Sequence, residues 1–335
     1  MQSNDNLLVI GGQDIAKILD GQELAIIDII KATYEAHAKA QTSVPHSIFL
    51  RFPDRPQDRI IGLPAYVGGE QPIAGMKWVA SFPGNIKHEL PRASASLVLN
   101  SMDNGRPYAF LEASLINMQR TAASAALAAK MFCRQEPKEL SLIGCGPINL
   151  SVCRFVKAAL PSVTKVRLYD LDQARAESFA KTVTSLTGCE VEVAASSQAA
   201  IQDSLLISFG TTAAQPYLDD AKLFADNSVV LHVSLRDLAP SVITSATNVV
   251  DDLDHVNREE TSIYLTAQEL GRTDFVTANI GDLLVGTKSM PTNNKPIIFS
   301  PFGLGILDVK LGQYVYDQAQ SKNIGQTIAN FFPNA

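Results

Sequence analysis

The run Leu140-Ser-Leu-Ile-Gly144-Cys-Gly146-Pro-Ile-Asn149 is a strand, a tight turn and a helix start, with two glycines one residue apart. Glycine at 144 lets the chain turn sharply, and glycine at 146 lets a backbone approach a pyrophosphate. The helix start at Pro147 and Ile148 then offers free N–H groups and the positive end of a helix dipole. Asp170 follows Gly146 by about 24 residues, at the end of the next strand, where an acid bonds both hydroxyls of an adenosine ribose. A carboxylate there repels a 2′-phosphate, so the expected cofactor is NAD and not NADP. The plainer reading of Asp170 is a turn residue at a strand end. The third glycine position of the fingerprint is Asn149, which predicts looser packing of helix on strand. Thr211 and Thr212, in the turn Ser208–Pro216, are further candidate cofactor neighbours or else ordinary loop threonines.

These residues need elements that place them. From Glu139 the chain alternates strand and helix: Leu140–Ile143, Lys165–Tyr169, Glu190–Ala194, Leu205–Ser208, Ser228–Val233 and Asn248–Val250 read as strands, with helices Asn149–Leu160 and Asp172–Leu186 between the first of them. Such alternation predicts a parallel sheet covered on both faces. Upstream, Gln22–Ala40 reads as an amphipathic helix with Ile26, Ile27, Ile30 and Tyr34 on one face. Short apolar runs broken by Pro and Gly follow (Ser47–Phe52, Arg59–Leu63, Gly75–Ala80, Ala95–Leu99, Tyr108–Glu112), predicting a mixed or antiparallel sheet. Asn117–Phe132 is an alanine-rich helix. The tail gives a strand, Pro296–Phe299, a Gly-rich turn and a last helix from about Val309 to Ser321.

The fold class is therefore α/β: a Rossmann dinucleotide-binding domain plus an α+β domain. With 335 residues there is length for both cores. A net charge of −6, with no basic block, argues against nucleic acid and anionic membrane as partners. Cys133, Cys145, Cys153 and Cys189 form no C-x-x-C pair, and Met1–Gly12 is too short for a secretory h-region, so a reducing cytoplasm is expected. The five histidines have no ligand spacing, so no metal is expected.

The motifs Gly75-Met-Lys77-Trp, Gln119-Arg120-Thr121-Ala-Ala, Ile143-Gly-Cys-Gly146 and Ser300-Pro-Phe-Gly303-Leu-Gly-Ile-Leu-Asp308 together resemble the ornithine cyclodeaminase/μ-crystallin family, over about Leu7 to Gln320. Within it, Asp58-Arg-Ile-Ile, Pro91-Arg92-Ala-Ser, Leu111-Glu-Ala-Ser-Leu and Val250-Asp-Asp…Asn257-Arg258-Glu259 are most similar to the N-[(2S)-2-amino-2-carboxyethyl]-L-glutamate dehydrogenases, which supply 2,3-diaminopropionate for siderophores and peptide antibiotics. The resemblance implies a split domain: residues 1–119 and 305–335 for substrate binding and dimerisation, with residues 120–304 inserted as the NAD-binding domain. It also implies a homodimer.

The chemistry so implied takes a hydride from the α-carbon of a secondary amine onto NAD and hydrolyses the imine to 2-oxoglutarate and 2,3-diaminopropionate. Lys77 matches the family's active-site lysine, Arg120 its carboxylate-binding arginine, Thr121 its cofactor-phosphate contact and Asp237 its catalytic aspartate; Ser300, in the closing motif, is a further cofactor candidate. Without the motifs, Lys77 reads as a strand-end lysine, Arg120 as a surface residue and Asp237 as a helix N-cap. The family usually places an arginine near position 47, where this chain has Ser47. Arg51, four residues on, shares that face of a regular strand, and Arg59 and Arg92 are further candidates for a substrate with three carboxylates. The alternatives are an ornithine or lysine cyclodeaminase, which returns its hydride, a ketimine reductase, and a crystallin-like binding protein without activity.

Overall fold

Alternation of side chains along one strand organises the first part of the structure. In Ile73–Ser81, residues 73, 75 and 77 are buried while Met76 and Trp78 face outward, the period of two that a half-covered sheet requires. The computed structural model describes residues 5–333; residues 1–4 and 334–335, the extremes of the expected split domain, lie outside the described residues. The chain divides into two compact units, Met1–Arg120 with Leu304–Ala335, and Thr121–Gly303. Among the described residues no helix is long and apolar enough to cross a membrane.

The first unit is built on an eight-stranded sheet. Its strands are Leu7–Ile10 (β1), Thr42–Ser43 (β2), Ile48–Phe52 (β3), Arg55–Val67 (β4), Ile73–Ser81 (β5), Ala93–Asn100 (β6), Pro107–Glu112 (β7) and Gln326–Ile328 (β16). The order is β16-β1-β7-β6-β5-β4-β2, with β3 added onto β4. The pair β1 and β7 is parallel and the other pairs are antiparallel, so the sheet is mixed. Helices Gly12–Leu19 (α1), Glu23–Ala38 (α2), Ser114–Phe132 (α3) and Gly305–Lys322 (α11) complete the elements, with the boundary between the units falling inside α3.

Helix α11 packs on β4, β5 and β6, and glycines set how closely. A Cβ on Gly312 would lie 2.2 Å from Leu97 Cδ2, and one on Gly75 would lie 2.5 Å from the Val98 carbonyl and 3.3 Å from Val309 Cγ2. Gly305, Asp308 and Gly312 follow the i, i+3, i+7 spacing of a single helix face, so the same close approach carries Asp308 down onto β5. The last helix thus begins at Gly305 and not near Val309. Of the two glycines that read as a turn, only Gly303 has a positive φ (+97°).

The second unit carries Glu139–Ile143 (β8), Lys165–Tyr169 (β9), Glu190–Val193 (β10), Leu206–Phe209 (β11), Val229–His232 (β12), Thr247–Val250 (β13), Val276–Asn279 (β14) and Ile297–Ser300 (β15). Their order is β10-β9-β8-β11-β12-β15-β13-β14, and all are parallel. Strands β11, β12, β13 and β15 are buried along their whole length, as a sheet covered on both faces demands. Helices Pro147–Ala159 (α4), Gln173–Thr187 (α5), Ser197–Ile201 (α6), Pro240–Ser245 (α7), Leu253–Val256 (α8), Ser262–Leu270 (α9) and Ile280–Val285 (α10) connect the strands. From β10 to β12 the order is that of a dinucleotide-binding fold, with its switch point between β8 and β11.

Candidate active site

At that switch point the glycine turn is held open by construction. Gly144 has φ +92°, and a Cβ there would stand 2.7 Å from the Gly210 carbonyl oxygen, so only glycine closes the turn. At Gly146 an added Cβ would meet, among the described residues, a single atom within 4 Å, the Gly210 oxygen at 3.9 Å. The outer side of the turn is therefore roomy. Gly146 is also the N-cap of α4, makes no side-chain cap bond, and is followed by Pro147. The first-turn N–H groups, including that of Ile148, are thus left for an anion. These residues fit the diphosphate of a dinucleotide.

Asn149 does not loosen the packing. It is fully buried; its Nδ2 donates to the carbonyls of Ile143 (3.0 Å) and Gly144 (2.8 Å), and its Oδ1 accepts from Ser208 Oγ at 2.8 Å. The amide takes the space that a glycine leaves for close contact and clamps the turn through hydrogen bonds. Asp170 ends β9, and its Oδ2 accepts from the Cys145 N–H at 2.8 Å while its Oδ1 accepts from that of Asp172 at 3.0 Å. Its carboxylate is thereby fixed beside the glycine turn. Cys145 itself is inert: burial first, then the Asp170 charge, pushes its thiol up to about 12.

Asp237, in the turn after β12, is fully buried. Its Oδ1 accepts from Thr211 Oγ1 at 2.5 Å and its Oδ2 from Ser234 Oγ. His232 Nε2 lies 3.3 Å from Oδ2, and Tyr217 hydrogen-bonds the same carboxylate. Burial alone would raise this acid; bonding and attraction from His232, then the bonds from Ser234 and Thr211, outweigh it and hold Asp237 below the ordinary carboxylate range. The N-cap reading fails, because α7 is preceded by Ala239 with no side-chain cap. Ser300, at the end of β15, lies 3.2 Å from His232 Nδ1. The carboxyl edge of this sheet thus gathers Gly144, Asp170, Thr211, Asp237 and Ser300. Thr212 is exposed beside Thr211, and Thr121 is half-buried on α3 at the start of the unit.

In the first unit, Lys77 and Arg120 are not the surface residues their types suggest: they are 1% and 8% exposed. Both are tied to residues the sequence reading did not single out. Lys77 Nζ donates to Asp308 Oδ2 at 2.7 Å and to Asn117 Oδ1 at 2.8 Å. Arg120 donates through Nε to Asp308 Oδ1 at 3.3 Å and through Nη2 to Asn117 Oδ1 at 2.6 Å. Burial pulls the Lys77 ammonium down to about 8; Asp308 works against this and Arg120 adds to it. The signal for Asp308 was a carboxylate on the glycine-lined face of a helix.

Strand register adds two more cations. Arg51 pairs directly with Arg59, Arg59 with Ser81, and Leu63 with Lys77. Paired residues share a face and the period is two, so Arg51, Arg59 and Lys77 lie on one face of the sheet, with Lys77 on the order of 13 Å along β5 from Ser81. Arg92 is exposed just before β6, and Ser47 is half-buried just before β3.

Comparison with known proteins gives the family and the fold. The profile of the Ornithine cyclodeaminase/mu-crystallin family matches residues 20–323. The N-((2S)-2-amino-2-carboxyethyl)-L-glutamate dehydrogenase of Staphylococcus aureus is 28% identical, over 97% of this chain and 99% of its own length. The alanine dehydrogenase of Archaeoglobus fulgidus is 26% identical, over 97% and 98%. The fold matches that of the Delta(1)-pyrroline-2-carboxylate reductase of Thermococcus litoralis, solved with NADH and L-proline, at a TM-score of 0.90 and 22% identity, over 96% of this chain and 100% of that one.

Proposed function

The chain belongs to the Ornithine cyclodeaminase/mu-crystallin family, and we propose that within it this NAD-dependent oxidoreductase of amino-acid CH–NH groups oxidises and hydrolyses N-(2-amino-2-carboxyethyl)-L-glutamate to 2-oxoglutarate and L-2,3-diaminopropionate. The observation that carries the reading is the cationic face of the first unit, where Arg51 and Arg59 share a sheet face with Lys77. A guanidinium fork suits a carboxylate. Lys77 and Arg120 suit one carboxylate, and Arg59 with Arg51 suits another on the same substrate. Ornithine and lysine carry a distal ammonium that such a row repels. The 28% identical relative of that name supports the same choice.

NAD, when bound, would supply the acceptor for the hydride of the secondary amine's α-carbon. The glycine turn, the start of α4 and Asp170 would hold its diphosphate and adenosine ribose, with Thr121, Thr211, Thr212 and Ser300 as further contacts. Asp237, kept ionised, takes the proton of the amine and directs water onto the imine carbon. Lys77 and Arg120 orient the substrate through its carboxylate. We assign substrate binding to the first unit and NAD binding to the second. A homodimer fits the outward face of the first sheet, where Met76, Trp78 and Phe110 are exposed together. Four free cysteines fit a reducing cytoplasm, and the product fits supply of a siderophore or non-ribosomal peptide pathway.

The test is NADH absorbance with purified protein, NAD and N-(2-amino-2-carboxyethyl)-L-glutamate, beside ornithine and lysine. The reading predicts stoichiometric NADH and 2-oxoglutarate from the first substrate alone. Ammonia and a cyclic amino acid from ornithine or lysine, without net NADH, would replace it with a cyclodeaminase.

A further inference from the structure

Lys77 and Arg120 repel each other, yet the same two side chains hold both. Each acceptor bridges the pair: Asp308 through its two oxygens, Asn117 through its single Oδ1. Asp308 is fully buried on α11, Asn117 and Arg120 come from α3, and Lys77 stands on β5 between Leu63 of β4 and Leu97 of β6. Among the described residues, the charged groups that act on Lys77 are Asp308 and Arg120.

A lysine is a point charge on a flexible four-carbon stem and does not by itself define a direction. With two of its three N–H donors committed to Asp308 and Asn117, the direction of the third is set. The charge count also matters. Asp308 sets one negative charge against the two positive ones. We infer that Asp308, together with Asn117, is a positioning residue that aims the donors of Lys77 and Arg120 and lowers their joint charge. This inference rests on the reading that Lys77 and Arg120 meet the substrate, and it extends it to residues that touch no substrate themselves.

The experiment follows the Lys77 side-chain nitrogen by NMR across a pH titration of the full-length protein, with Lys77→Arg assigning the signal. In the parent protein Lys77 titrates at about 8. In Asp308→Asn, which keeps the shape and removes the charge, it falls by roughly one to three pH units, the usual effect of losing a close opposite charge. The KM for the substrate rises at least ~10-fold with kcat changed far less, the pattern of lost carboxylate binding. Asp308→Glu restores the titration near that of the parent while KM stays raised, because the charge returns one methylene out of place. If Asp308→Asn does not fold, Asn117→Asp decides: a second carboxylate against the pair raises the Lys77 titration. An unmoved Lys77 titration in Asp308→Asn, or in Asn117→Asp where that variant has to decide, overturns the inference, even if stability drops. A parent protein that is silent with N-(2-amino-2-carboxyethyl)-L-glutamate sinks the substrate reading alone, and the titrations still judge the clamp.

Discussion

Raising the pH from 7 to 9 discharges Lys77, and the structure fixes both the window and the sign. Burial has brought its ammonium down to about 8, so it is about nine-tenths charged at pH 7 and about one-tenth charged at pH 9. The charged form is the one that donates to a substrate carboxylate, so kcat/KM falls roughly tenfold across that interval. The fall levels off once the neutral amine has lost its charge-assisted bond, worth about 1.5–3 kcal/mol or roughly 10- to 150-fold. The substrate's own amine titrates in the same region and must lose a proton before hydride transfer, which would mask the limb. Lys77→Arg separates the two effects, because a guanidinium stays charged throughout. The quantity to measure is the ratio of parent to variant kcat/KM, from initial NADH rates between pH 6.5 and 10. That ratio should decline with a midpoint near 8. A flat ratio would refute a charged Lys77 as the carboxylate ligand, whatever the absolute rates.

Gly146→Ala should fold like the parent, since its Cβ meets little, yet weaken NAD at least ~10-fold by keeping the diphosphate off the backbone; Gly144→Ala should also lose stability, by about 1–2 kcal/mol or more, and calorimetry with thermal melts separates the two. Asp170→Ser removes the acid beside the glycine turn, and NAD affinity should drop about 10- to 100-fold while NADP binding improves; equal losses for both cofactors would count against the ribose assignment. Asp237→Asn should lower kcat by ~100- to 10,000-fold with NAD affinity held within a few-fold, and the lowered acid of the parent should give no acid limb above the ordinary carboxylate range; any stability that Asp237 contributes as a carboxylate is lost only as pH falls through its depressed folded value, measurable by acid unfolding. Trp78→Glu puts a charge on the outward sheet face, and size-exclusion chromatography should show a dimer turning into monomer; an unchanged elution volume would move the interface elsewhere.

The parts of this site that could be read from the sequence are those made by neighbours along the chain. Gly144, Gly146 and the start of α4 form one continuous turn, and Asp170 sits at a fixed offset because a single helix and strand separate it from that turn. Asn149 was misjudged for a physical reason: a fingerprint treats any side chain there as bulk, whereas an amide satisfies the carbonyls of the very turn it crowds. Elements such as β1, β14 and β16 are too short and, in β14 and β16, too polar to announce themselves by periodicity. The acceptors of Lys77 are a different case. Asn117 lies 40 residues away and Asp308 lies 231 residues away, and neither offset means anything until α11 is known to start at Gly305.

The cations show the same division in reverse. Charge and the offset of Arg51 from position 47 make Arg51 and Arg59 candidates, but only pairing register puts them on the face of Lys77. A shift of one residue between β3 and β4 would send Arg51 to the opposite face and leave Lys77 and Arg120 as a site for one carboxylate. The choice between a polycarboxylate and a simple amino acid as substrate therefore rests on strand register. That gives the substrate assay structural content: a protein that accepts only monocarboxylic amino acids would mean that the Arg51–Arg59 pair does not take part in binding. One that needs the tricarboxylate should lose that preference, more than its overall rate, when Arg59 is changed to glutamine.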